Sequence, residues 1–342
     1  MTTTVLMLMG GRSSEHEISL SSAGGVMAAL DPARFAVVPV IIQPDGTWTY
    51  HGRTVMLSAG DAGHGLLIDL EDASTTTVDV VFPVLHGPFG EDGTIQGLCE
   101  MIGVPYVGAG VAASAIGMDK ALFKAIARQH GLPVADAVLV TSRSWANDDA
   151  RIRAATDQLG YPVFVKPARL GSSVGISRVV APGELDDAVA HALGFDDKVL
   201  IEQGISGLEI EVGILGDSEL VVSPPGQIRY GADWYDYATK YEAGRAELEI
   251  PADLPAEVTR RAQELAEGAY RSVGCEGMGR IDCFVTPEGD VIVSEINTIP
   301  GFTPTSAYPS LMAAAGIAYP ELLARLVESA LARAERERTL RR

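Results

Sequence analysis

Val5-Leu6-Met7-Leu8-Met9 runs directly into Gly10-Gly11-Arg12-Ser13-Ser14-Glu15-His16-Glu17, and helical periodicity follows over residues 19–30. A short, uninterrupted apolar run suits a strand covered on both faces, as in a parallel sheet. The glycines after it mark the loop at the strand's carboxyl end, where ligands bind in open α/β folds and helix N-terminal amides point. The spacing is not G-x-G-x-x-G, so this is not the dinucleotide fingerprint. Glu15 is placed either to hold a ligand ammonium or, like Glu17, to cap the next helix.

Outward from that stretch, residues 35–42 and 78–83 read as further strands, the first closed by Pro44-Asp45-Gly46. Residues 93–102 read as a helix, 104–107 as a short strand and 114–130 as a helix. Alternation of this kind predicts an N-terminal open, parallel-sheet α/β domain over 1–115. The middle mixes short strands (136–140, 163–166, 175–180, 199–201) with helices (148–159, 184–191), an α+β module over 116–205. The third unit, 206–342, has two strands within 208–222 around Gly216-Asp217, a helix over 254–273, a strand pair 278–285 and 291–296, and a helical tail over 319–342. Inside it, 224–245 sets Trp234, Tyr235, Tyr237 and Tyr241 among polar residues. That composition fits a ligand-clamping lid as well as a surface loop pinned by aromatics.

The 342 residues carry 26 Lys+Arg against 45 Asp+Glu, a formal charge of −19, which argues against nucleic acid or anionic membranes as partners. A small anionic ligand stays open, because local cations and amides can hold a phosphate inside an acidic protein. Cys99, Cys275 and Cys283 are odd in number and irregularly spaced, which disfavours a disulfide framework or a cysteine metal site. No apolar run reaches the roughly 18 residues of a membrane span, and the start lacks a basic n-region. A cytoplasmic protein is expected. The histidines form no H-E-x-x-H pair and there is no G-x-S-x-G elbow, so zinc and serine hydrolases are disfavoured.

Three further segments carry chemistry. Lys166-Pro167-Ala168-Arg169-Leu170-Gly171-Ser172-Ser173-Val174-Gly175 is a strand, a lysine and a small-residue loop, which fits a phosphate cradle or a plain hairpin turn. Arg280 and Asp282 share one face of a strand by period two, as do Glu295 and Asn297 on its neighbour. Two carboxylates and an amide oxygen suit a hard cation such as Mg²⁺ on triphosphate oxygens. The alternative is a polar cross-strand cluster with Arg280 as counter-ion; the metal is preferred, since unpaired carboxylates on a covered face are costly. Pro300-Gly301-Phe302-Thr303-Pro304-Thr305-Ser306 follows at once and could hold an acceptor. His86 could touch a substrate carboxylate or be a satisfied loop histidine.

These motifs in this order (10–21, 86–97, Met118-Asp119-Lys120, 166–175, 235–241, 279–282 and 295–306) resemble the D-alanine–D-alanine ligase family of the ATP-grasp superfamily, over about residues 4–332. The resemblance implies an ATP-grasp fold behind the N-terminal domain, with ATP between the central and C-terminal domains. It implies that Lys120, Lys166, Ser172 and Ser173 meet ATP phosphates, that Glu202 sits in the adenine hinge and that Glu209 holds the ribose. Asp282, Glu295 and Asn297 match Mg²⁺ ligands, with Mn²⁺ as a substitute and a monovalent cation as an addition. Glu15 matches the residue binding the first D-alanine ammonium, with Ser172 and Tyr241 as companions and His86 lining that site. Arg280 and the Gly301 amide correspond to the oxyanion site; Ser306, the Ala307 amide and Lys240 correspond to the second carboxylate site. The implied reaction joins two D-alanines through a D-alanyl phosphate for peptidoglycan precursors, in a homodimer. A relative using D-serine or D-lactate, or serving self-resistance, is the alternative. The hinge here reads Glu202-Gln203-Gly204, where many relatives have Lys and a large aromatic. Tyr241 favours the amide product.

Overall fold

The computed structural model describes residues 2–230 and 246–340. Lys240, Tyr241 and most of the 224–245 segment lie outside the described residues.

The first sheet has the strand order β6-β5-β4-β3-β2-β1-β7. Its strands are β1 (Thr3–Gly10), β2 (Phe35–Ile42), β3 (Trp48–Tyr50), β4 (Arg53–Ala59), β5 (Gly65–Asp69), β6 (Thr75–Val78) and β7 (Val80–Pro83). β1 lies parallel to β2 on one side and β7 on the other. Its continuous apolar run follows from that central place: Val5 and Met7 join the core under helix α1 (His16–Ala29), while Leu6 and Leu8 join the core on the opposite face. The sheet is parallel only at this centre. β3 to β6 add antiparallel strands, which short polar sequences such as Thr75-Thr76-Thr77 do not announce. The expected 78–83 strand is divided at Asp79, whose carboxylate takes the Thr4 amide at 2.6 Å.

Helix α2 (Thr94–Ile102) follows. Residues 104–107 form no strand but a single bridge, Val81 to Tyr106; Pro105 in their middle has no amide to donate. Residues 114–130 are two helices, α3 (Val111–Met118) and α4 (Lys120–Gln129). Asp119 breaks them by accepting from the Ala121 and Leu122 amides at 3.0 and 3.1 Å, an N-cap that outcompetes helix continuation.

The second sheet, β10-β9-β11-β8, is antiparallel throughout. It holds β8 (Ala137–Thr141), β9 (Val163–Pro167), β10 (Ser177–Val179) and β11 (Lys198–Gln203), with α5 (Ser142–Leu159) and α6 (Leu185–Leu193) against it. α5 is kinked at Asp148, whose φ of −149° is non-helical: a first piece opens on the reciprocal capping box of Thr141 and Ser144, and the expected helix follows the kink. The third sheet runs β15-β14-β12-β16-β17, with β13 beside β12. Its strands are β12 (Leu208–Gly216), β13 (Leu220–Val222), β14 (Gly226–Tyr230), β15 (Ala246–Glu249), β16 (Met278–Val285) and β17 (Val291–Asn297). Helix α7 (Ala256–Ser272) buries Leu265, Ala266, Ala269 and Tyr270 on it. A short helix, α8 (Ala307–Ala314), follows the 300–306 turn, and α9 (Tyr319–Arg338) returns to cover the first sheet through Leu322, Leu323, Leu326 and Val327. Among the described residues no single helix is long and apolar enough to cross a membrane.

Candidate active site

Two cavities meet where the three sheets approach one another. The first, about 140 Å³, lies between the second and third sheets, with Lys120, Lys166, Ser173, Glu209, Asp282 and Glu295 in its wall. The second, about 640 Å³, reaches the first sheet and is lined by Glu15, His86, Arg280, Asn297, Gly301 and Ser306, among others. Gly171, Ser172, Glu211 and Ile228 border both.

Glu15 occupies the N-cap position of α1, yet its side chain makes no cap bond. It accepts instead from the Ser172 hydroxyl, 157 residues away. This decides against the helix-capping alternative. Gly87 makes room: its φ is +73°, and a Cβ there would lie 2.6 Å from Glu15 Oε2. Ser172 and Ser173 both adopt left-handed backbone, at φ +53° and +58°, a strained pairing that concentrates at functional loops and lets successive amides converge on an anion.

His86 is buried. Its Nδ1 lies 3.1 Å from the Ile299 carbonyl, which can only accept, so Nδ1 carries the proton. Nε2 then accepts from the Ser22 hydroxyl at 3.1 Å. Burial lowers its pKa and keeps it neutral. His86 is therefore a satisfied histidine in the cavity wall rather than a cation awaiting a carboxylate.

The strand pair β16/β17 delivers the expected cluster. Asp282 sits opposite Glu295, and Arg280 opposite Asn297. Arg280 grips Asp282 with two bonds of 2.7 Å and lies 3.2 Å from Glu211. Burial disfavours its charge, but Asp282 and Glu211 more than compensate and raise its pKa further. Asn297 Nδ2 donates to Asp282 at 3.0 Å. Lys120 donates to the Leu170 carbonyl at 2.7 Å and pairs with Glu295 at 3.1 Å. Arg280 is thus the counter-ion of Asp282 in this structure, an arrangement that leaves the metal reading of Asp282, Glu295 and Asn297 open. Among the described residues no three His, Cys, Asp or Glu side chains converge as a ready-made metal centre. The donor set still fits a hard cation: two facing carboxylates and the Asn297 amide oxygen, with further oxygens supplied by a ligand.

Lys166 pairs with Glu202 at 2.8 Å. Glu202 is only 3% exposed, and its side chain turns into the structure rather than into the first cavity. Burial alone would raise its pKa, but Lys166 and Lys124 hold it at about 2. Ser306 is the N-cap of α8, and Ala307 its first residue. Ser306 Oγ accepts from the Thr303 amide at 3.1 Å and lies 3.1 Å from where a Cβ on Gly301 would be, so the turn and helix start are packed together. Lys240 and Tyr241 are outside the described residues.

Four residues of the site escaped the sequence reading. Glu91 accepts from the Gly87 amide at 2.7 Å and the Ile299 amide at 3.3 Å, and burial, then Glu15, raises its pKa to about 8. Its signal was its place within the 86–97 motif. Glu211 lies two residues after Glu209 on one strand face, the period that identified Arg280 and Asp282. Lys124 lies four residues after Lys120, one helical turn away. Ser22 gave no signal beyond its helix.

The N-terminal part, residues 4–109, matches the model for the D-ala D-ala ligase N-terminus, and residues 126–328 match that for the D-ala D-ala ligase C-terminus. A D-alanine–D-alanine ligase of Deinococcus radiodurans is 46% identical over 333 residues, covering 96% of this chain and 98% of that one. One from Chlorobium phaeovibrioides is 47% identical over 349 residues, covering 96% and 97%. Among solved structures, the ligase from Coxiella burnetii superposes with a TM-score of 0.87 at 34% identity, covering 98% of this chain and 96% of that one. The VanG D-Ala:D-Ser ligase from Enterococcus faecalis gives 0.87 at 33%, covering 96% and 100%.

Proposed function

The chain belongs to the D-alanine–D-alanine ligase family, and on that premise we propose that it condenses two D-alanines, with ATP converted to ADP and phosphate, for peptidoglycan precursor synthesis. The observation that supports this reading is the Ser172–Glu15 hydrogen bond, which joins the carboxylate read as the ammonium site to the loop read as the phosphate site.

In this reading ATP fills the first cavity. Lys120, Lys166 and the amides of the 171–173 loop face its phosphates, and Glu209 faces its ribose. Asp282, Glu295 and Asn297 would hold Mg²⁺, whose charge offsets that of the phosphoryl group. The first D-alanine places its ammonium on Glu15. Its carboxylate attacks the γ-phosphorus, giving D-alanyl phosphate and ADP. The second D-alanine sets its carboxylate at the N-terminus of α8, on Ser306 and the Ala307 amide, with Lys240 beside it. Its amine, having lost a proton, attacks the acyl carbon. Arg280 and the Gly301 amide stabilise the oxyanion until phosphate leaves. Tyr241 and the 224–245 segment would close over the site and keep water from the acyl phosphate. The domains proposed are 1–115, 116–205 and 206–342. A homodimer in the cytoplasm completes the proposal.

Phosphate release from ATP and Mg²⁺ should require D-alanine, with D-alanyl-D-alanine as the product by mass spectrometry. Release that proceeds equally without D-alanine would overturn the assignment of both substrates; a mixed product when D-serine or D-lactate competes at equal concentration would overturn that of the second.

A further inference from the structure

Behind the lysines facing the first cavity lies a third. Lys124, on α4, is 4% exposed and lines neither cavity. Its ammonium lies 2.8 Å from Glu202 Oε2, while the other oxygen of that carboxylate lies 2.8 Å from Lys166. It also reaches the Ser294 carbonyl at 3.5 Å. Glu202 belongs to β11 of the second sheet and Ser294 to β17 of the third. One buried ammonium therefore touches a strand of each of the two sheets that flank the cavity and shares a carboxylate with the lysine that faces it.

Sharing changes how tightly Lys166 is held. A buried carboxylate with one ammonium partner holds it by the whole pair attraction, at low effective dielectric. With two partners, the ammonium groups repel each other and part of the attraction to each is cancelled. Lys166 already faces the first cavity, and an ammonium has three donors, so it can keep Glu202 and still meet a phosphate; the second cation leaves less of its charge committed to Glu202. We propose that Lys124 is a positioning residue for nucleotide binding: it occupies half of Glu202, leaving Lys166 loosely enough held to engage the triphosphate, and it keeps β11 and β17 at the spacing the nucleotide needs. The proposal rests on the reading of the first cavity as the ATP site.

The test uses the full chain. Affinity for ATP with Mg²⁺ is measured by calorimetry without D-alanine, alongside thermal unfolding and the KM and kcat of D-alanine-dependent phosphate release. Lys124→Met leaves Glu202 to Lys166 alone and should weaken ATP binding at least about tenfold, with the KM for D-alanine within about twofold. Lys124→Gln, which removes the charge but keeps a polar side chain beside Glu202, should show the same loss if the methionine variant folds poorly. Glu202→Gln removes the charge that holds Lys166, and because Glu202 is itself read as part of the adenine hinge, that variant is the reference: in its background Lys124→Met should cost no more than about threefold in ATP affinity. Lys124→Arg should retain it. A fall in unfolding temperature with ATP affinity unchanged would make Lys124 merely structural and overturn the proposal, as would a loss from Lys124→Met that is the same with and without Glu202→Gln. Wild-type protein that binds no ATP would overturn the nucleotide reading as well; wild-type binding with indifferent Lys124 variants overturns only this role.

Discussion

Replacing Arg280 separates what it does for the fold from what it does for the reaction. Its guanidinium is 8% exposed, makes two 2.7 Å bonds to Asp282 and lies 3.2 Å from Glu211. Arg280→Met leaves two carboxylates facing each other across β12 and β16 without their cation. Breaking a buried pair from one side costs about 3–5 kcal/mol. Asp282 keeps the Asn297 amide at 3.0 Å and its side chain is 21% exposed, so the lower end applies. A loss of about 3 kcal/mol lowers the unfolding temperature of a chain this size by roughly 5 °C. Arg280→Lys keeps the charge and loses the two-pronged grip, so most of that stability should return. The rate should not: losing one oxyanion donor costs about 10²–10³ in kcat, and a lysine cannot face Asp282 and the acyl oxygen with the same fork. Calorimetric unfolding and D-alanine-dependent phosphate release on both variants read the two effects separately. A methionine variant that unfolds at the wild-type temperature, or a lysine variant with wild-type kcat, would refute the reasoning.

Ser172→Ala removes the hydroxyl that donates to Glu15. A hydrogen bond to a charged group contributes about 1.5–3 kcal/mol, so the KM for the first D-alanine should rise about 10- to 100-fold; two-substrate kinetics that show no change would contradict this. Glu91 has a carboxyl raised from 4.5 to about 8, first by burial and then by Glu15. A raised folded pKa means its contribution is fully present below pH 4.5 and is lost as pH rises through about 8. Glu91→Gln should therefore gain on wild type in urea unfolding between pH 5 and 8.5, and a difference constant with pH would count against that. Removing divalent metal with a chelator should weaken ATP binding at least about tenfold, checked by calorimetry; equal affinity with and without metal would remove Asp282 and Glu295 from the proposed role.

The parts of the site visible in the sequence were those fixed by local periodicity. Arg280, Asp282, Glu295 and Asn297 fell on the right faces because strand geometry alternates every residue, and the observed register then set them opposite each other. The glycine loop after β1 was legible for the same local reason. Partners brought together by tertiary packing were not. Nothing near Glu15 in the chain points to Ser172, and nothing near Lys166 says that Glu202 is shared with Lys124. The turn at 300–306 was legible as a possible acceptor site only through its place after β17, and α8 behind it was not expected; its buried Tyr308, Pro309, Leu311 and Met312 are explained by the core they enter. The antiparallel half of the first sheet was lost because its short strands carry many polar residues, and sheet pairing, not sequence, decides such segments.

The charges around the first cavity explain why its cations are already paired. Lys120 and Lys166 face four carboxylates there, Glu209, Glu211, Asp282 and Glu295. At an effective dielectric of about 20, each like-charge pair 5 Å apart opposes binding by about 3 kcal/mol, so a triphosphate arriving alone meets net repulsion. Arg280 on Asp282 and Lys120 on Glu295 lower that field before any ligand arrives. In the proposed reaction a divalent cation arriving with the nucleotide would give Asp282 and Glu295 a stronger counter-charge, and the same arginine and lysine would become available to substrate anions. The cations thus neutralise the wall in one state and the ligand in the other without a charge ever standing bare in a buried site. Lys166 differs, because its partner Glu202 is buried and already shared. In the role proposed for Lys124, the second ammonium on that carboxylate is what leaves Lys166 free to turn part of its charge to the nucleotide.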